Sequence, residues 1–272
     1  MRMARILIYL LTLLLAVVFV TPLVWMFVVS FKPEGVSAIT IKEWVDFSDL
    51  TLRNYTKVLT ESQILTWTWN SLVIGVITTV ITIAISSLAA FAFSRKSFKT
   101  KGFWFLLCVS GLLIPTEAML IPLYETVLHI QLMDNIWGII LPSLTNPLGL
   151  ILIKQFMDGL PKDYKEAAQI DGCKDLRMWW SIYVPLTRSA MISIGIFYFI
   201  MSWNNFIWPY IAINTEENMV LATGLPTFLA NNVLHVNTIM TASAIAAIPT
   251  MIIFIILQRH IVQGVAMTGV KG

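Results

Sequence analysis

The stretch Trp67–Phe93, WTWNSLVIGVITTVITIAISSLAAFAF, holds no Asp, Glu, Lys, Arg or His. As a helix at about 1.5 Å per residue it reaches about 40 Å, more than the roughly 30 Å hydrocarbon core of a bilayer. Backbone polar groups in lipid must pair within their own segment, so a continuous apolar run of this length predicts a membrane-spanning helix. A barrel strand would be about ten residues long and would alternate polar with apolar side chains; this run does neither.

Five further runs read the same way: Ile6–Phe31, Phe103–Tyr124, Ile136–Met157, Ala190–Ile213 and Thr238–Leu257. The expected fold class is therefore an all-α membrane protein with six transmembrane helices. The expected organisation is a single transmembrane domain over 1–272, with a first helix and extracytoplasmic loop (1–66), a core (67–258) and a cytoplasmic tail (259–272). The composition agrees. Of 272 residues, 57% are hydrophobic and 12% charged, with mean hydropathy +0.79, whereas soluble domains carry about 25% charged residues. So few charges cannot coat a soluble domain of this size, which argues against a soluble enzyme, a disordered chain and a nucleic-acid binder. The net charge of +3 is too small to imply a polyanionic partner. Arg2 and Arg5 precede the first run as in a signal peptide. That run is longer than the 7–15 residues of a signal core, so it reads as a retained helix.

Basic residues set the orientation. The N-terminus (Arg2, Arg5), the second connection (Arg95, Lys96, Lys99, Lys101), the fourth (Lys154, Lys162, Lys165, Lys174, Arg177, Arg188) and the tail (Arg259, Lys271) together hold 14 of the 18 Lys and Arg. The other side has only Lys32, Lys42, Arg53 and Lys57. The richer side is expected to be cytoplasmic, with both termini inside.

Catalytic equipment is not apparent. The chain has no phosphate-binding loop, no H-E-x-x-H and no nucleophile elbow. His129, His235 and His260 fall near membrane boundaries without partners at ligand spacing, and Cys108 and Cys173 are expected at different depths. No metal site and no cofactor bound by this chain are expected.

The fourth connection, Asp158–Arg188, is too long and too patterned for a turn. Pro161 suits the first turn of a helix, and Lys162 to Asp171 contain good helix formers. Gly172 suits the left-handed position that closes a helix. A second helix carrying Trp179, Trp180, Ile182 and Tyr183 then leads to Pro185 and the fifth run. Ala167 and Ala168 make the first helix thin enough to enter a groove on a partner, where Glu166 could meet a basic group. By local physics alone, a self-contained amphipathic helix at the lipid surface is the alternative.

Glu166-Ala167-Ala168, three residues, Gly172, nine residues, Ile182-Tyr183-Val184-Pro185 resembles the EAA signature of ATP-binding-cassette (ABC) importer permeases, E-A-A-x(3)-G-x(9)-I-x-L-P. The departure is Val184 in place of leucine. Pro115, Pro122, Trp203-Asn204 and the end Gln258-Arg259, Val262-Gln263-Gly264, Val270-Lys271-Gly272 are similar to the carbohydrate-uptake branch, in particular its maltose-transporter-like second permease. The resemblance implies a binding-protein-dependent inner-membrane component in the cell membrane of a prokaryote. It implies that the loop is a coupling helix docking on an ATPase, with Glu166, Ala167, Ala168, Asp171, Gly172, Ile182 and Pro185 carrying the contact. The implied partners are a second permease subunit forming a heterodimer, two ABC ATPase subunits holding ATP and Mg, an extracytoplasmic solute-binding protein and a carbohydrate substrate.

Small residues at four-residue spacing, Ser86 with Ala90, Ala242 with Ala246 and Ser243 with Ala247, permit close helix approach, either to the second permease or inside this chain. The outer connections 32–66 and 214–237, the latter with Glu216 and Glu217, are long enough to dock a binding protein. Candidate substrate-path residues are Glu117, an acidic residue between two prolines inside an apolar run, and Trp203, Asn204, Asn205 and Trp208. Aromatic faces with amides suit a sugar, but aromatics such as Trp208 and Tyr210 also form interfacial belts. No Lys or Arg is set deep in a run, which favours a neutral solute over a glycerol phosphate. An intramembrane enzyme would need a second acid or a base beside Glu117, and an ATP-independent carrier would have no use for the loop.

Overall fold

The computed structural model describes residues 2–35, 40–46, 48–231 and 236–269, and no strand occurs among them. Among the described residues, three single helices are long and apolar enough to cross a membrane: Arg5–Ser30, Ile64–Arg95 and Val236–Ile256. Three helix pairs qualify as bent spans: Lys101–Leu113 with Thr116–His129 (97°), Ile136–Ser143 with Pro147–Asp158 (44°) and Asp175–Leu186 with Arg188–Trp203 (80°). Counting each pair once gives six spans, so the all-α membrane class holds.

The chain divides into two compact units. The first comprises Met1–Thr68 and Leu221–Ile252. It contains α1 (Arg2–Ser30), α2 (Ile41–Val45), α3 (Arg53–Glu61), the start of α4 (Ile64–Arg95), α14 (Leu221–Asn231) and the first half of α15 (Val236–Gly269). Side chains described from Met3 to Val20 are exposed and nearly all apolar, as a helix in lipid requires. The other end of α1 is buried, and its last carbonyls would be orphaned. Asn54 Nδ2 donates to Ser30 O (3.0 Å) and Lys32 O (2.7 Å), Asn237 Nδ2 to Val29 O (3.1 Å), and Thr241 Oγ1 to Ser30 O (3.1 Å). Three buried polar side chains thus close α1 within the unit.

The second unit, Trp69–Val220 with Ile253–Gly272, contains most of α4, then α5 (Lys101–Ser110), α6 (Leu120–His129), α7 (Ile136–Ser143), α8 (Pro147–Asp158), α9 (Asp163–Ile170), α10 (Asp175–Met178), α11 (Val184–Leu186), α12 (Arg188–Trp203) and α13 (Ile207–Ala212). Three of the spans here are bent, and the breaks have local causes. Proline lacks the N–H and pushes its predecessor out of the helical region. Ile114, before Pro115, is accordingly extended (φ −89°, ψ 117°). Asn146 is extended before Pro147 and caps α8 by accepting from Leu148 N (3.0 Å). The fifth run stops at Trp203 and resumes at Ile207.

The core of this unit gathers Ala90, Phe91 and Phe93 of α4, Leu150, Ile153 and Met157 of α8, Ala168 of α9, Met178 and Tyr183, and Ile194 and Tyr198 of α12. Tyr198 also reaches the start of α8. Its hydroxyl accepts from Gly149 N (2.6 Å), an otherwise orphaned first-turn donor, and donates to Asn146 O (3.2 Å). The approach needs glycine, because a Cβ at position 149 would lie 2.7 Å from that hydroxyl. Ser86 and Ala90 are buried in this packing and Ala242 is buried in the first unit, so these small residues serve packing inside the chain.

Candidate functional site

The loop after α8 is built as sequence logic requires, with two shifts. The helix begins at Asp163 rather than near Pro161, which stays outside it. It ends at Asp171, with Gly172 in the left-handed region at φ +68°. Gly172 N donates to Gln169 O (3.1 Å) and Cys173 N to Ala168 O (2.9 Å), the paired bonds of a Schellman closure. Cys173 packs against the same apolar cluster as Ala168, supplying the hydrophobic contact that goes with that closure. Both Cys108 and Cys173 are free thiols.

The second shift concerns the alanines. Ala168 is buried against the core of the unit and is unavailable to an outside groove. Glu166, Ala167, Gln169, Ile170 and Asp171 are exposed. Ile170 is 86% exposed, an apolar side chain presented at the helix end. The outward face is therefore Glu166, Ala167, Ile170 and Asp171, with Ala168 as its inward anchor.

Beyond Gly172 the chain runs through α10 and a π-helical turn, Trp179–Tyr183, into α11. The turn has a local reason: Pro185 cannot donate, and its ring would strike the carbonyl four residues back. The wider turn, with Val184 N bonded to Trp179 O, makes room. Ile182 is half-buried against the core while Pro185 is exposed.

Three consecutive residues at the end of α4 hold this loop. Ser94 Oγ donates to Asp158 Oδ1 (2.6 Å), and Asp158 also accepts from Lys154 Nζ (2.6 Å). Arg95 donates to Met157 O and to Leu160 O (2.9 Å), with its guanidinium 5.1 Å from the centre of the Tyr183 ring. Lys96 pairs with Asp175. Sequence reasoning treated Arg95 and Lys96 only as orientation charges. Nothing in the sequence distinguishes the buried arginine from its half-buried neighbours except its place at the end of an apolar run.

The candidate path residues are dispersed. Glu117 is exposed in a short 3₁₀ turn, Thr116–Met119, at the 97° bend. It does not sit inside a continuous helix, because Pro115 ends the preceding one. Trp203 is buried and stacks on Phe199 (5.7 Å, 25°). Trp208 is buried too, donating through Nε1 to Gly138 O (2.9 Å). These two rings are thus packing residues here, not faces open to a solute. Asn204 is exposed and caps α12 by donating to Ile200 O (2.8 Å), and Asn205 is half-buried in the break that follows. Tyr210 is 66% exposed.

On the opposite side of the sequence's charge pattern, Asp134 gathers the segment after α13. It adopts φ +56° and its Oδ1 accepts from Asn214 N (3.0 Å), Thr215 N (3.0 Å) and Thr215 Oγ1 (2.9 Å). Asn70 Nδ2 donates to Glu217 O and Met219 O, both at 2.9 Å. Glu216 and Glu217 are exposed on the turn so fixed. His235 lies outside the described residues, as do Val270, Lys271 and Gly272. The tail expected from 259 onward is helical through Gly269.

Residues 82–267 match the family described as the binding-protein-dependent transport system inner membrane component. The chain belongs to this family. It is a multi-span inner-membrane permease of the ABC importer type that the EAA loop resembles, and the match contains the whole of Asp158–Arg188. An arabinooligosaccharides transport system permease protein, AraQ, from Halalkalibacterium halodurans is 32% identical over 266 residues, covering 95% of this chain and 93% of that protein. The sn-glycerol-3-phosphate transport system permease protein UgpE of Yersinia pestis is 29% identical over 204 residues, covering 72% and 70%. Among solved structures, a bacterial ABC transporter involved in import of the acidic polysaccharide alginate superposes with TM-score 0.84 at 21% identity, over 95% of this chain and 96% of that one. That likeness supports the six-span fold.

Proposed function

We propose that this permease forms one half of a heterodimeric channel that carries a sugar or oligosaccharide into the cell. Two ABC ATPase subunits, which hold ATP and Mg, drive it through α9, and both termini face the cytoplasm. The observation that carries the reading is the build of the loop. The EAA pattern falls on a short helix closed by a left-handed glycine, anchored by buried Ala168, with Glu166 and Ile170 turned outward. Such a helix can move as a rigid lever while its outer face enters a partner's cleft. Family membership supports dependence on a solute-binding protein. The fixed turn bearing Glu216 and Glu217 is where that protein is proposed to dock, and reversing both charges should weaken stimulation by it.

The sugar assignment is supported by the oligosaccharide system of the AraQ relative, whose match covers nearly the whole chain. The alternative, a glycerol phosphate, is supported by UgpE over a smaller share. The test is ATP-driven uptake into liposomes containing this chain and its partner subunits, with the binding protein loaded with arabinooligosaccharide or with glycerol 3-phosphate. Uptake of the oligosaccharide supports the reading, and uptake of only the phosphate replaces it.

A further inference from the structure

Arg95 is 8% exposed, an unusual place for a guanidinium at the end of a membrane helix. Such a buried charge must be met by well-placed partners. Its neighbours Ser94 and Lys96 lie nearer the surface and reach Asp158 and Asp175. Arg95 instead donates to the carbonyls of Met157 and Leu160 at the end of α8. Met157 lies in the last turn of α8 and Leu160 just beyond its end, where the helix dipole favours a cation. Its other face lies over the ring of Tyr183, 5.1 Å away, and that ring packs on Phe91 of α4 (5.1 Å).

The arrangement matters because of what lies between those partners. Met157 and Leu160 precede α9, and Tyr183 follows it. A single side chain of α4 therefore holds both ends of the segment that carries the coupling helix. The hydroxyl of Tyr183 is buried without a hydrogen-bond partner, so the ring rather than the hydroxyl is the part in use. Neither α8 nor the π-helical turn can shift relative to α4 without breaking the two hydrogen bonds from Arg95 Nη2, the ring contact or both.

We propose that Arg95 is the positioning residue that makes α4 move with the coupling loop, converting displacement of α9 into movement of the membrane helix. This rests on the coupling role proposed for α9. It assigns to the second cytoplasmic connection a mechanical task in addition to its place in the charge pattern.

The test uses the full complex, with partner subunits and binding protein, in liposomes, and reads solute moved per ATP hydrolysed. Coupling between sites commonly amounts to about 5–150-fold. On that scale, Arg95→Met should lower the ratio about tenfold while the ATPase subunits stay bound and hydrolysis persists. Arg95→Lys, which keeps the charge but not the planar guanidinium over the Tyr183 ring, should lie between wild type and Arg95→Met. Tyr183→Phe should match wild type and Tyr183→Leu should lower the ratio. If Arg95→Met prevents assembly, Arg95→Lys and Tyr183→Leu decide the matter. Glu166→Lys is the control for the underlying reading. An unchanged ratio in Arg95→Met and Tyr183→Leu, with Glu166→Lys lowering it, overturns the role of Arg95 alone. An unchanged ratio in all of them overturns the coupling role of α9 as well. A proportional fall of transport and hydrolysis with loss of assembled complex in Arg95→Lys and Tyr183→Leu as well would make Arg95 merely structural and also overturn the proposal.

Discussion

Gly172 sits where an L side chain is disfavoured, at φ +68°, with nothing within 4 Å of an added Cβ. The cost of replacement is therefore conformational rather than steric. Gly172→Ala should destabilise the closure of α9 by about 1–2 kcal/mol, read as faster hydrogen exchange of the Gly172 and Cys173 amides. Gly172→Pro should do more, because proline cannot adopt this φ and removes the donor to Gln169 O. Asp134 gives a second residue-scale prediction. Burial pushes its carboxyl upward, but hydrogen bonds from the Thr215 and Asn214 amides and the Thr215 hydroxyl outweigh that and hold it below the ordinary 3.8. A lowered folded value stabilises the turn fully above the unfolded value and loses that contribution as pH falls through the folded one. Protection of the Asn214 and Thr215 amides should thus hold from pH 7 to about pH 5 and fall below 3.8. Asp134→Ala should remove the protection at neutral pH.

Among the elements, α8 and α12 show how the second unit is tied together. Asn146 caps Leu148 locally, and the next orphaned donor, Gly149 N, is satisfied from α12 by Tyr198. Tyr198→Phe would leave that buried N–H unpaired, at a cost of about 1–3 kcal/mol. The expected outcome is a lower unfolding temperature in detergent with helix content unchanged at room temperature. The six runs were readable because lipid imposes length and apolarity on any spanning helix. Their breaks were less so: Pro115 announces one of them, whereas the break before Pro147 lies inside a run that reads as continuous, because a bend there costs no charged residue. The short helices α2 and α3 were hidden in a charged connection, although Thr40 and Glu43 form a capping box at the start of α2. In the site, Gly172 and the exposed Glu166 followed from helix-ending rules and spacing. The inward turn of Ala168, the burial of Trp203 and Trp208 and the grip of Arg95 depend on which neighbours surround each side chain, and composition carries no record of that.

For the whole molecule, scarcity of charge marks a membrane protein and the distribution of charge carries the proposed orientation. Of the 18 Lys and Arg, 14 fall on the side of the coupling loop, so single cysteines at 165 and 216 should label from opposite faces of the membrane, the former only after permeabilisation of cells. The ATP-driven import proposed for the complex requires force to enter through the thirty residues after α8. The measurement that tests this most directly is binding-protein-stimulated ATP hydrolysis together with uptake, in liposomes holding the complex with wild-type chain or with Glu166→Lys. Glu166 is exposed at the surface of α9, so the substitution should leave the fold intact. The account predicts that uptake is lost and stimulation by the loaded binding protein disappears. Wild-type uptake and wild-type stimulation in the Glu166→Lys complex would contradict it.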